Sequence, residues 1–385
     1  MSDAVDIAVV GAGASGIAAA LTASRMGASV ALIEAKHHCG GVAAYGLHRF
    51  VCGLFANDGD TPGQPLNPGI TSGFCGRLAG GDIREKAIRR GRVWLLPFNG
   101  GNAFSSCALD MLEREKNLKL LLGSRVDQLH VENGHIRSLT LSSMQELSAR
   151  AVVDCTGNAA VSRLAGAPTI DPEKPALAGY GFIVSGVHND AADIPLSIQV
   201  PFALRQVADD GHIPRWLAFT TYEPTAQTGM VTIKLAVPSD MSTEDARHNA
   251  QTAWDHLKTL PAFRRATATA FLPCVLERAG CRLSGKYMLT SDDILQGKTF
   301  DDDAVKGAWP MEKWDAARGV SYRYPPHGVH YGIPLRCLHP LCGLTNLTCA
   351  GMCISADDDA AASARILGTC LATGEAAARL AVTKL

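Results

Sequence analysis

Val9-Val10-Gly11-Ala12-Gly13-Ala14-Ser15-Gly16, followed downstream by Glu34, is the stretch whose reading decides the fold. Residues 7–10 form a short apolar run suited to a buried parallel strand, and 17–26 read as an Ala-rich helix. Gly27 stops that helix, and 30–33 is a second apolar strand ending at Glu34. Each glycine has its own task in such a unit. Gly11 permits a tight turn, Gly13 lets backbone approach a pyrophosphate, and Gly16 lets helix and strand pack closely. The free amides at the helix start face phosphate charge, which the helix dipole also favours. Glu34 stands where a carboxylate accepts both hydroxyls of an adenosine ribose. The expected dinucleotide contacts are therefore Gly11, Gly13, Ala14, Ser15, Gly16, Glu34 and the adjoining Ala35.

With 385 residues, 47% of them apolar and 19% charged, the chain is long enough for two domains with real cores. Its formal net charge of -1, without a basic block, argues against nucleic acid or an anionic membrane surface as partner. No apolar run reaches the roughly 18–20 residues of a spanning helix. Acids stand in residues 1–6, where a signal peptide needs positive charge, so a soluble cytoplasmic protein is expected. The twelve cysteines include no CxxC pair, which makes reduced thiols the default.

Along the chain, His37-His38-Cys39-Gly40-Gly41-Val42 carries paired glycines that let backbone pass close to a large flat ligand. Residues 56–98 read as a long excursion over that ligand, with a helix inside it. Residues 103–116 form an amphipathic helix and 118–122 a buried strand. Residues 126–131 and 136–141 flank Asn133-Gly134, a strong hairpin signal. Residues 151–154 follow as a buried strand that ends in Cys155-Thr156-Gly157. Three strands are expected at 180–187, 216–222 and 230–237, the last two as a hairpin, and a helix over 243–260. Asp301-Asp302-Asp303 read as solvated helix-start acids. A strand is expected at 333–338, another at 346–349 running into Ala350-Gly351, and one small-residue helix over 364–380.

These blocks together resemble the glutathione-reductase-type FAD-binding superfamily. More closely, the chain resembles the FAD-dependent oxidoreductase family through Arg278-Ala279-Gly280-Cys281-Arg282, Tyr287-Met288-Leu289-Thr290 and Ile333-Pro334-Leu335-Arg336-Cys337-Leu338. Cys353-Ile354-Ser355-Ala356 and Gly368-Thr369-Cys370 continue the match. The resemblance implies an α/β fold: a Rossmann-like FAD-binding domain with a three-layer parallel sheet and β-meander, plus an inserted α+β substrate domain with a mainly antiparallel sheet. The domains are expected at 1–169, 170–330 and 331–385, the first and last forming the FAD part. It implies FAD as cofactor, with the adenine end on Gly11–Glu34, the ring under Gly40 and Gly41, and further contacts from Val126, Thr156, Gly157, Gly351, Gly368, Thr369 and Cys370. The last helix is expected to point its N-terminus at the flavin's N1–C2=O edge, where reduced flavin carries negative charge. Met352 stands where relatives place a polar or charged residue.

Only one dinucleotide fingerprint is present, so electrons are expected to pass between flavin and a substrate in the second domain. Hydride transfer from C–H to flavin needs a base for the neighbouring proton. His48, which with Arg49 borders the expected ring, and His330 and Tyr331, beside His327 in a Pro/Gly-rich loop, are the candidates. Arg336 is a fourth catalytic candidate, and Arg278, Arg282 and Arg336 are candidate anion anchors or interdomain ion pairs. Cys337, Cys342, Cys349 and Cys353 read as packed thiols rather than metal ligands, and no metal is expected. Cys39, next to the expected flavin, is a candidate thiolate or covalent flavin link. The reading is an FAD-dependent dehydrogenase or reductase for a small molecule, and a homodimer is left open. The alternatives are an NAD(P)-dependent dehydrogenase and a non-catalytic flavin-binding or sensing protein.

Overall fold

The first strand, Asp3–Val10, puts Ile7 and Val9 on one face and Ala8 and Val10 on the other, and all four are buried. Both faces of the sheet are therefore covered, as parallel strands require. The computed structural model describes residues 3–172, 177–188, 194–225, 227–341 and 343–385. In the main sheet the order is Leu118–Leu122, Val30–Glu34, Asp3–Val10 and Glu146–Asp154, all parallel. Leu347–Cys349 runs parallel beside the end of Glu146–Asp154. The hairpin Val126–Glu132 and His135–Leu141 adds antiparallel to the same strand. It turns through Asn133 (φ 51°) and Gly134 (φ 71°), as its sequence predicts.

Register positions everything that follows. Val10 pairs with Ile33 and Asp154, and Asp154 pairs with Cys349, so these strands end at one level. Gly11, Glu34, Cys155 and Ala350 therefore share the carboxyl edge of the sheet, where ligands bind in open parallel sheets.

One core joins Ile7, Val9, Ile17, Leu21 and Leu32 to Phe74, Phe104 and Leu371, and another lies under Ala8, Val10, Ile33, Ile136 and Leu347. A third surrounds Tyr180, Phe182, Ile233 and Trp254 in a separate antiparallel sheet. Its order is Thr221–Pro224, Met230–Val237, Ala178–Ser185 and Thr267–Phe271. The α/β class, the parallel dinucleotide-type sheet and the separate antiparallel sheet are thus all present. Leu289, Ile294, Val305 and Met311, from within 170–330, pack into the first core instead of the third.

The stretch 56–98 does hold a helix, Ile70–Ala79, which docks on the C-terminal helix, where the buried Glu375 accepts the Ile70 amide at 3.0 Å. Several local expectations are corrected. Phe50–Cys52, Val93–Pro97 and Ile88–Arg90 form a small antiparallel sheet. The hairpin expected from 216 begins only at Thr221, because Arg215–Phe219 coils into a 3-10 turn. Asp301–Asp303 start no helix. Asp303 opens strand Asp303–Gly307, and the helix nearby is Ser291–Gln296, capped by Thr290. The strand expected over 333–338 is Tyr331–Pro334, since Pro334 has no N–H to continue the ladder. The small-residue helix expected over 364–380 is present as Leu367–Val382, and a separate helix, Asp358–Ala364, precedes it across Arg365-Ile366.

Candidate functional site

At the carboxyl edge, Gly11 adopts φ 98°, and a Cβ there would lie 2.4 Å from the Cys155 carbonyl oxygen. Helix Ala14–Arg25 starts at Gly13 with no side-chain cap, so its first amides lack a side-chain partner. A Cβ at Gly13 would meet nothing within 4 Å. The result is open space in front of a helix N-terminus, the arrangement that takes an anion. Glu34 is preset beside it: Oε2 accepts the Ala12 amide at 2.7 Å and Oε1 the Lys36 amide at 2.8 Å. Ala35 is exposed next to it. The Gly40 amide donates to the Ala12 carbonyl at 2.7 Å, and Gly41 passes against Gly13. Glu34→Gln is expected to weaken FAD binding about tenfold, roughly 1.4 kcal/mol. Titration of the apoprotein with FAD, followed by flavin fluorescence, checks this, and an unchanged affinity would remove Glu34 from the binding set.

The other cofactor candidates gather along the same edge. Val126 is buried at the start of its strand. Thr156 donates to Asp154 at 2.7 Å, and the Gly157 amide to Cys353 Sγ at 3.1 Å. The Gly351 amide donates to Thr373 Oγ1 at 3.0 Å, and a Cβ on Gly351 would lie 2.6 Å from Ser15 Oγ. Gly351 thereby ties the first helix to the last. The last helix begins at Ile366 with no side-chain cap, and Gly368 faces the Cys52 carbonyl. Thr369 Oγ1 beside it is buried without a hydrogen-bond partner among the described residues. An orphaned hydroxyl at an uncapped helix start suits a polar ring edge. Buried Cys370 spends its thiol on the Arg365 carbonyl at 3.2 Å.

Of the four catalytic candidates, His48 lies apart from the others. It is half-buried, and Lys234, Arg365 and Arg278 all act on it electrostatically. Burial, then those three cations, push its pKa down to about 3, so the imidazole stays neutral near neutral pH. Lys234 Nζ also pairs with Glu223 at 2.7 Å, and Arg365 with Glu312 at 3.5 Å. Arg278 Nη1 donates to the Leu177 carbonyl at 3.1 Å, and its guanidinium lies 3.9 Å over the Trp314 ring. Cys52 belongs to the same surroundings, with burial as the main force pushing its thiol up to about 12.

The expectation that His330, Tyr331 and Arg336 act as catalytic groups beside His48 is corrected. Tyr331 is fully buried in the core with its hydroxyl 2.7 Å from Ser363 Oγ. His330 lies beside Asp303 and Lys306, and His327 is exposed. Arg336 forms an exposed pair with Asp302 at 2.9 Å. Arg282 is buried and pairs with Asp358. Cys39 is buried against the Ser105 carbonyl, with burial raising its pKa, which removes the basis for a thiolate there. Cys337, Cys349 and Cys353 are buried thiols, whereas Cys342 lies outside the described residues. Among the described residues no group of three or more His, Cys, Asp or Glu is placed to hold a metal. Lys234, Arg365 and Trp314 went unread in the sequence. A lone charge in the mainly apolar run Met230–Val237 is the available signal for Lys234.

A family model described as FAD dependent oxidoreductase matches residues 6–178 and 184–385. The chain belongs to that family. It binds FAD, and the open turn at Gly13, the preset Glu34 and the unsatisfied Thr369 hydroxyl fit that group. No curated relative matches the chain. Among solved structures it is similar to L-proline dehydrogenase from P. horikoshii, at 13% identity and TM-score 0.47, covering 100% of this chain and 94% of that one. Glycine oxidase from Bacillus cereus gives 12%, 0.47, 99% and 96%. The p-nitrophenol 4-monooxygenase of Pseudomonas putida gives 11%, 0.49, 99% and 80%. No helix among the described residues is long and apolar enough to cross a membrane.

Proposed function

We propose that the chain is an FAD-dependent dehydrogenase or reductase for a small organic substrate, held where the antiparallel sheet meets the FAD-binding part. The observation that carries this reading is the preset cofactor edge, with Glu34 holding the Ala12 amide at 2.7 Å beside the open space at Gly13, and the unsatisfied Thr369 hydroxyl at the start of the last helix. Bound FAD supplies hydride acceptance or donation. Gly11, Gly13, Ala14, Ser15, Gly16 and Glu34 hold its adenosine diphosphate end. Gly40, Gly41, Val126, Thr156, Gly157, Gly351, Gly368, Thr369 and Cys370 are assigned to the remainder.

His48, neutral among cations, takes a hydrogen bond from a substrate hydroxyl or amine and then its proton. An anionic group on the substrate offsets the surrounding cations and lifts the basicity of the imidazole toward its ordinary range. Arg278 and Arg365 orient the substrate, and the wall around Trp314 limits water.

The test is anaerobic titration of the FAD-loaded protein with a library of alcohols, amines, hydroxy acids and amino acids. Bleaching of the visible flavin band by one class is the expected result. If dithionite bleaches the band and no organic donor does, the chain is a non-catalytic flavin-binding protein instead.

A further inference from the structure

We infer that the chamber beside Trp314 takes a carboxylate group of the substrate, with Arg278 as its anchor. The inference rests on the reading of this junction as the substrate site. The chamber measures about 480 Å³, and Leu177, Arg278, Glu312, Trp314, Asp358 and Arg365 are among its walls. That size suits a small organic molecule.

The argument is one of unmet charge. Every acid on the wall already has a partner. Glu312 accepts the Trp314 indole N–H at 2.6 Å and faces Arg365. Asp358 pairs with Arg282, and Asp359 with Lys313 and Arg323. Asp315 accepts the amides of Ala317 and Arg318 at 2.9 and 2.8 Å. Arg278 differs. Among the described residues it has no carboxylate within ion-pair distance, only a backbone carbonyl and the Trp314 ring. Glu312 on the same wall attracts it without reaching ion-pair distance, and a half-buried guanidinium without a direct ion pair is stabilised further when an anion arrives. Stacking on Trp314 fixes the plane of its donor fork, and a carboxylate matches that fork with two parallel hydrogen bonds.

A second feature narrows the charge. Glu312, Asp358 and Asp359 line the same space and repel a doubly charged group such as a phosphate more than a monoanion. A third gives the direction. Arg365, on the chamber wall, also borders Gly351 and Met352 and precedes the start of the last helix, which places the chamber next to that part of the cofactor edge.

The test uses the oxidised, FAD-loaded protein without turnover, titrated with benzoate, its neutral isostere benzamide, and phenylphosphate. Tryptophan fluorescence and flavin absorbance report binding. The expected result is that benzoate binds, benzamide binds at least tenfold more weakly, and phenylphosphate falls below benzoate. Arg278→Leu should weaken benzoate at least tenfold, and Arg278→Lys, which keeps the charge and loses the fork, should fall between. Benzamide binding as tightly as benzoate, phenylphosphate binding tightest, or both variants binding benzoate like the unmodified protein would overturn the inference. If Arg278→Leu does not retain FAD, Arg278→Lys and the benzamide comparison decide alone. Binding and bleaching are read separately, so failure here is distinct from failure of the proposed reaction.

Discussion

Gly16→Ala is expected to destabilise the protein by about 3 kcal/mol or more and to abolish FAD retention. The new Cβ would lie 1.7 Å from the Gly11 carbonyl oxygen and 3.3 Å from Cys155 Cβ, so relief requires moving the helix off the sheet. The helix has nowhere to go. Residues Ala14 to Ser24 are all buried, and the last helix closes the opposite side, where a Cβ on Gly374 would lie 2.0 Å from the Ser15 carbonyl oxygen. Gly13→Val is the informative contrast. Its backbone, at φ -75° and ψ -172°, is one that valine adopts, and the space beyond is open. The apoprotein should therefore keep its thermal stability while FAD affinity falls by about a hundredfold, roughly 2.8 kcal/mol. Thermal unfolding of both apoproteins and FAD content after desalting check the pair. A stable, FAD-loaded Gly16→Ala protein would break the packing argument. A Gly13→Val apoprotein as unstable as Gly16→Ala would show that Gly13 serves packing instead of a ligand.

The contrast also explains what was legible in the sequence. Gly11, Gly13, Gly16 and Glu34 act within one continuous strand–helix–strand unit, so their spacing carries their geometry. The Asn133-Gly134 hairpin is local in the same way. The electrostatic neighbours of His48 are not. Lys234, Arg278 and Arg365 are far apart in the chain and act on His48 only in the folded protein, which no local period records. Tyr331 and Arg336 were misplaced for a related reason. The Pro/Gly-rich loop of Tyr331 and the strand expected around Arg336 give no sign of partners far along the chain, yet Tyr331 is drawn inward to Ser363 and Arg336 outward to Asp302. Helix Leu196–Asp209 is hidden by Pro201 inside it, and the break at Arg365-Ile366 carries no Gly or Pro to mark it. That break matters most for function, since it creates the uncapped start at Leu367.

His48→Gln is expected to slow flavin reduction by roughly 10²- to 10⁴-fold while FAD content is unchanged. Glutamine keeps a hydrogen-bonding side chain and removes the proton acceptor, so binding survives where chemistry does not. The same substitution has a signature in stability that is independent of turnover. In the unfolded chain an imidazole takes its proton near pH 6.5, whereas folded His48 takes it only near 3. Between those values the unfolded state binds more protons, so stability from this group rises with pH by up to about 1.4 kcal/mol per unit. That contribution is complete above pH 6.5 and is lost as the pH falls toward 3. Thermal midpoints of the FAD-loaded proteins should therefore fall less steeply on acidification for His48→Gln than for the unmodified chain. Rapid-mixing reduction by the substrate found in the donor screen, combined with that pH series, separates two roles. A flatter acid limb with an unchanged reduction rate makes His48 a buried structural imidazole. Loss of both assigns it the proton.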